Sequence, residues 1–202
     1  MGNIAGYINQ CRVQSVVEQV IGSHELHVPA SADELEELVK YLRSYGHNPV
    51  IIGSAAVFFH MGNDPASFRP TMDVDIHVTK PLPPLPPGWT RDPEAVGIAS
   101  WISPSGGYVD FLQAGEELPG GFRVPRRVRM APDSDPGFPV AALEEVLKMK
   151  LASLREKDLL DCVAIARKLG LPPKATLGLN MQQEENYDLV TLWIEARPQA
   201  EA

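Results

Sequence analysis

Residues 69–78 read RPTMDVDIHV, with Asp73 and Asp75 one residue apart in an otherwise strand-like run. Side chains alternate across a strand, so the two carboxylates share one face, about 7 Å apart along it. Val74, Ile76 and Val78 then point to the other face. Like charges this close raise one another's pKa unless a cation lies between them. Mg²⁺, or Mn²⁺, meets that need, because it takes oxygen ligands from one or two carboxylates and from substrate phosphates. Taken alone, D-x-D is better read as an exposed edge strand with solvated acids. His77 continues the same face and is assigned no role.

Three further stretches bear on that choice. Gly53-Ser54 follows the apolar run Pro49–Ile52 and precedes AAVFFHMG, a short helix. A glycine there lets a phosphate approach the backbone, and the serine hydroxyl and helix N-terminal N–H groups can bind it. Serine is also simply a good N-cap. Asp110 interrupts the apolar run GGYVDFLQ. Val109 and Phe111 read as core, so Asp110 faces outward, beside D-x-D if the strands are neighbours. Three carboxylates can hold two Mg²⁺ ions about 4 Å apart for in-line phosphoryl transfer. Finally, KMKLASLREKDLLD carries Lys150, Arg155, Lys157, Asp158 and Asp161. Lys150 falls among apolar helix positions, where a cation could serve a triphosphate. A solvated charged face, with Lys157 and Asp161 as an i,i+4 pair, explains the same run and is the stronger reading of it alone.

The elements that must position these residues follow from periodicity. Val13, Val16, Val17, Val20 and Ile21 predict an amphipathic helix over about 7–22, closed by Gly22. Ser31 and Glu34 form a capping-box pattern ahead of Leu35, Leu38, Val39 and Leu42, and Gly46 stops that helix. Residues 63–70 read as loop and 72–78 as strand. KPLPPLPPG, residues 80–88, is too proline-dense for helix or strand interior and reads as a stiff polyproline connector; docking to an aromatic groove is the lesser reading. Strands are expected over 96–102, 107–113 and 122–130. Helices are expected over 141–155, 158–169 and 182–197. Strands crowd the middle and helices the two ends: an α/β (α+β) fold, with a core over 1–140 and a helical region over 141–202.

The chain of 202 residues carries a formal net charge of −8. That argues against tight nonspecific duplex binding over the whole surface, though not against a local basic patch. Such a patch exists in Arg123, Arg126, Arg127 and Arg129, which could line a groove for an RNA or DNA 3′ end or merely keep an edge strand soluble. No apolar run is long enough to span a bilayer, and no secretory signal is visible, so membrane association is not expected. Cys11 and Cys162 lie far apart without metal-ligand spacing, and read as reduced thiols of a cytoplasmic protein, Cys162 as core.

The order GS, then R-x-T-x-D-x-D, then a strand aspartate, then K-L-x-x-L-R-x-K-D-x-x-D resembles the nucleotidyltransferases of the DNA polymerase β-like superfamily, in particular the minimal AbiEii-type members, several of which are toxins of toxin–antitoxin pairs. The likeness spans roughly residues 48–170. It implies a nucleotidyltransferase fold, a mixed sheet flanked by helices with a C-terminal helical part completing the nucleotide site. It implies that Gly53 and Ser54 hold the β- and γ-phosphates of an NTP, that Asp73 and Asp75 bind metal, and that Asp110 is the third carboxylate, which ligates metal and activates the attacking hydroxyl. Lys150 would meet the triphosphate, Lys157, Asp158 and Asp161 would match the later motif, and Arg69 and Thr71 the lead-in to D-x-D. The long interval from Ser54 to Asp73 and the proline-rich stretch depart from the pattern. The expected activity is Mg²⁺-dependent transfer of an NMP to a hydroxyl of a nucleic acid, protein or small molecule. Two alternatives stand beside it: an NTP hydrolase using water, and a non-catalytic nucleotide- or partner-binding module.

Overall fold

The computed structural model describes residues 2–21, 27–62, 70–118 and 122–196. The chain divides into two compact units, 1–142 and 143–202.

The first unit opens with α1 (Ile4–Ile21) and α2 (Ala32–Ser44). Among the described side chains of α1, Ile4, Tyr7, Ile8 and Cys11 are buried and Val13 is 65% exposed; the side chains of Val16, Val17, Val20 and Ile21, the rest of the expected stripe, lie outside those described. Tyr7 stacks on Phe58 with ring centroids 4.5 Å apart, which anchors the buried side chains. Gly22, the expected stop, lies outside the described residues, as does the loop over 63–69. Helix α2 starts as its sequence dictates. Ser31 Oγ accepts from the Glu34 N–H, and the Glu34 carboxylate accepts from the Ser31 N–H at 2.9 Å. Leu35, Leu38, Val39 and Leu42 are buried.

The sheet is built from β1 (Val50–Ile51), β2 (Asp73–Val78), β3 (Thr90–Arg91), β4 (Ala99–Ile102) and β5 (Tyr108–Gln113), in the order β1-β2-β5-β4-β3. Strands β2 and β5 run parallel, and every other pairing is antiparallel, so the sheet is mixed. Helix α3 (Gly53–Met61) connects β1 to the segment leading into β2. It buries Ala55 through Phe59 and Met61, the pattern of a helix enclosed on most sides. One sheet face carries Val74, Ile76, Val78, Trp101, Val109 and Phe111, all buried. The other carries Asp73, Asp75, Asp110 and their cross-strand neighbours, so the alternation seen in the sequence is the alternation of the fold.

Two expectations fail for local reasons. Residues 122–130 do not form a strand; they make only single bridges, Glu117 with Arg123 and Met130 with Ala141. Pro125 interrupts the run, lacks the N–H a ladder needs, and gives its carbonyl to His77 Nε2 at 2.7 Å. The strand expected over 96–102 is shortened to β4, because Gly97 turns the chain at φ +80 just before it. Strand β3, two residues long, was not expected. The proline segment forms neither helix nor strand; Pro83 and Pro86 are buried, and Tyr41 Oη donates to the Pro84 carbonyl at 2.8 Å.

The second unit comprises α4 (Leu143–Ser153), α5 (Glu156–Leu169), the short α6 (Lys174–Leu177), and α7 (Met181–Ala196). Helices α4, α5 and α7 pack on one another. The break between α4 and α5 falls at Leu154, which adopts φ +37. Side chains of α7 donate to backbone carbonyls of α4: Asn186 Nδ2 to Leu151 O, in the last turn, at 2.6 Å and Gln183 Nε2 to Lys148 O at 2.9 Å. Among the described residues, no helix is long and apolar enough to cross a membrane.

Candidate active site

The parallel pairing of β2 with β5 sets Asp73 opposite Tyr108 and Asp75 opposite Asp110. Strand β4 sets Ser100 opposite Asp110. Three carboxylates, a phenol ring and a hydroxyl therefore share one sheet face. Asp73, Asp75 and Asp110 are each half-buried, unlike the fully buried residues between them. Thr71 Oγ1 donates to Asp73 Oδ1 at 3.0 Å, giving the lead-in threonine a definite task. Arg69 lies outside the described residues. His77, farther along the face, is buried against the 122–125 segment through its bond to Pro125.

Asp75 meets the start of α3. Gly53 has φ +66, and a Cβ built there would collide with Asp75 Oδ2 and lie 2.8 Å from its Cγ. The glycine is therefore required twice, for its left-handed backbone and for the carboxylate lying against it. The Ile52 N–H donates to the Asp75 carbonyl at 3.0 Å, tying the same two segments together. Ser54 occupies the first turn of α3, where N–H groups lack helical partners and an anion is favoured. So Gly53, Ser54 and Asp75 gather at one helix terminus, and Asp75 leads by strand register to Asp110.

Asp110 is the electrostatically strained member. Its carboxyl is pushed above the ordinary aspartate value, first by burial; a hydrogen bond with Ser100 opposes this, the charges of Asp73 and Asp92 add to it, and the His27 imidazole works against it. Beside it opens a cavity of about 160 Å³, whose lining includes Asp73, Asp110, Asp92, Ser100, Tyr108 and His27. His27 lies flat on Tyr108, with centroids 4.0 Å apart and planes 4° from parallel.

Asp92 and His27 carried no signal in the sequence. Asp92 sits in a turn-like T-R-D-P-E run, and His27 in H-E-L-H-V, neither with a spacing that points to chemistry. Only the β3–β4 and β4–β5 pairings bring Asp92 to the carboxylates.

Carboxylate oxygens are the donor type Mg²⁺ prefers, and it commonly uses one or two of them alongside phosphates and water. Asp73 and Asp75 fit that description. Among the described residues, however, no three His, Cys, Asp or Glu side chains converge as a ready metal cluster.

The residues of the K-L-x-x-L-R-x-K-D-x-x-D run close mostly on each other. Lys150 is only 6% exposed. Its ammonium lies 3.0 Å from Asp158 and 2.8 Å from Asp161. Asp158, fully buried, also accepts from Arg155 Nε at 2.8 Å and Ser153 Oγ at 2.7 Å. Burial would raise the Asp158 carboxyl, but Arg155, Lys150 and Ser153 together hold it down at about 2. Lys150 is held above its ordinary value: burial lowers it, and the charges of Asp161 and Asp158 more than offset that. Asp161 thus pairs with Lys150, not with Lys157 as expected for a solvated face. Lys157 itself is exposed in the first turn of α5. In the first unit, Arg123 pairs with Glu117 at 3.5 Å, and Arg126, Arg127 and Arg129 are exposed on an irregular segment instead of a strand.

No family model matches the sequence, and no curated protein matches it. Among solved structures, the chain is similar to an antigenic nucleotidyltransferase-like protein from Paracoccidioides brasiliensis. The two share 17% identity with a TM-score of 0.50, over 82% of this chain and 89% of that one. At that identity the likeness concerns the fold: the chain has a mixed α/β architecture, a five-stranded mixed sheet flanked by helices, similar to that of a nucleotidyltransferase-like protein.

Proposed function

We propose that the chain is a Mg²⁺-dependent nucleotidyltransferase that moves an NMP from an NTP to a hydroxyl acceptor and releases pyrophosphate. The observation that carries this reading is the register Asp75 opposite Asp110, with Asp75 lying against Gly53 at the start of α3. It joins a carboxylate face to a helix N-terminus suited to phosphate on a fold similar to that of a nucleotidyltransferase-like protein.

In this reading Asp73 and Asp75 would hold the cation, which when bound would neutralise phosphate charge. Ser54 and the first N–H groups of α3 donate to the phosphate oxygens. The acceptor hydroxyl oxygen bonds to the α-phosphorus, the bond to the bridging oxygen of pyrophosphate breaks, and Asp110 takes the hydroxyl proton. A carboxyl held above its usual value is suited to that task. Lys150, Asp158 and Asp161 carry no part of this scheme, because their charges are engaged with one another inside the helical unit. A cytoplasmic setting agrees with two free, buried cysteines. The AbiEii-type and toxin readings rest on motif order, and the exposed arginines at 123–129 leave a nucleic-acid acceptor in play.

A nucleotide-binding module without turnover and an NTP hydrolase are the alternatives to this reading. Incubation with each α-³²P-labelled NTP, Mg²⁺ and cellular RNA, DNA, protein or small-molecule extract decides between them. Transferase activity predicts label on an acceptor, reduced by about 10³-fold or more in Asp73→Ala/Asp75→Ala. Nucleotide binding without label transfer or hydrolysis would favour the module, and release of labelled NMP to water would make it a hydrolase.

A further inference from the structure

The cavity beside Asp73 and Asp110 holds more acid than phosphoryl transfer requires. Its third carboxylate, Asp92, follows β3 and is fixed by two hydrogen bonds. The Asp92 N–H donates to the Ser100 carbonyl at 3.0 Å, and Asp92 Oδ1 accepts from the Glu94 N–H at 2.9 Å. Its charge reaches Asp110 and adds to the strain there. Beside the acids on the same sheet face, the His27–Tyr108 stack supplies an aromatic surface, Tyr108 standing next to Asp73 in the register, and Val96, 88% exposed, adds an apolar residue to the lining. Carboxylates, an aromatic surface and a small volume of about 160 Å³ suit a compact organic cation. A nucleic-acid 3′ end is the alternative occupant. None of Arg123, Arg126, Arg127 and Arg129, the residues that would favour such an end, is part of the lining.

We propose that this cavity is the acceptor subsite, that Asp92 determines its specificity, and that it takes a small hydroxyl-bearing amine. Delivery of the hydroxyl to an NTP rests on the transferase reading above; binding of the amine does not.

The two are separated by measuring binding and transfer independently. Saturation-transfer NMR on the full chain compares ethanolamine with ethylene glycol, glucosamine with glucose, and a short RNA oligonucleotide, at constant ionic strength. The same set is run on Asp92→Asn, which keeps an acceptor for the Glu94 N–H, and on Glu94→Gln, which changes the net charge equally on the same turn. The amines should bind saturably and their neutral partners should not. Asp92→Asn should weaken amine binding by about tenfold, the scale of one charged hydrogen bond, and Glu94→Gln should leave it unchanged. Equal binding of amine and neutral partner, no binding of either amine, or equal weakening by the two variants would overturn the subsite. A second arm follows label from α-³²P-NTP. Amine binding without transfer upholds the subsite and counts against the transferase. Label moved to RNA but to neither amine overturns the subsite and upholds the transferase.

Discussion

Asp110, half-buried in the sheet, and Asp158, fully buried in the helical unit, meet opposite fates. Asp158 is enclosed by Lys150, Arg155 and Ser153, and its carboxyl is held down at about 2. The Asp110 carboxyl is pushed up, first by burial; among the described residues Ser100 and His27 oppose this and Asp73 and Asp92 add to it. One unit has completed its electrostatics within itself. The other holds carboxylates in an arrangement that a cation would relieve, and folds are not expected to carry that strain where packing alone is at stake. The difference separates acids that hold helices together from acids available for chemistry.

The comparison can be broken first at Lys150. Replacing it by methionine leaves Asp158 and Asp161 buried without their central cation, and should cost about 3–5 kcal/mol of stability in denaturant unfolding. The combined variant Lys150→Met/Asp158→Leu/Asp161→Leu should recover much of that loss, since removing a whole buried ionic group is often close to neutral. If Lys150→Met is as stable as the parent, the helical unit does not depend on its internal ion pairs and the contrast fails.

Next in size is Gly53→Ala. The left-handed backbone alone costs about 1–2 kcal/mol for a residue with a Cβ. The new methyl must also displace the Asp75 carboxylate. The expected outcome is a modest fall in Tm together with a loss of label transfer larger than the stability change explains. An unchanged transfer rate would mean that contact between Asp75 and α3 does not position the site.

The smallest effect concerns the sign of pH dependence. A folded-state carboxyl pKa raised above its unfolded value, as for Asp110, contributes stability that is full below about pH 4 and is lost as pH rises through the raised value. A lowered one, as for Asp158, contributes stability that is full above about pH 4 and is lost as pH falls toward 2. Asp110→Asn should therefore raise Tm slightly near neutral pH, in the direction of its raised carboxyl, while abolishing transfer. Thermal melts from acid to neutral pH on parent and variant would show the two curves converging at low pH. A destabilised Asp110→Asn would show that the ionised carboxylate contributes to folding.

These contrasts were only partly legible in the sequence. Strict alternation around Asp73 and Asp75 fixes which face they occupy, so the strand and its acidic face could be read directly. The same holds for α2, whose Ser31–Glu34 box has the geometry its residues imply. Register is another matter. Nothing in GGYVDFLQ says that its strand lies parallel to β2 with Asp110 beside Asp75; that depends on which strands neighbour one another. The fate of Lys150 was also hidden. Its apolar neighbours correctly mark an unusual lysine, but burial with two acids and contact with a phosphate leave the same trace in a linear pattern. The 122–130 segment was misread because alternating arginines resemble an edge strand, while Pro125 and its bond to His77 dictate an irregular path. Asp92 reaches the cavity through the pairing of two short strands, one of them only two residues long and without a periodic signal.

The central claim is that Asp73 and Asp75 are held for a divalent cation. Titration with Mn²⁺ followed by electron paramagnetic resonance, with a non-hydrolysable NTP present, tests it without requiring turnover or an acceptor. The account predicts saturable Mn²⁺ uptake by the parent chain and a loss of at least about tenfold in affinity for Asp73→Asn/Asp75→Asn, the scale of a charged contact or more. Uptake of equal strength in both proteins, or in neither, would contradict it.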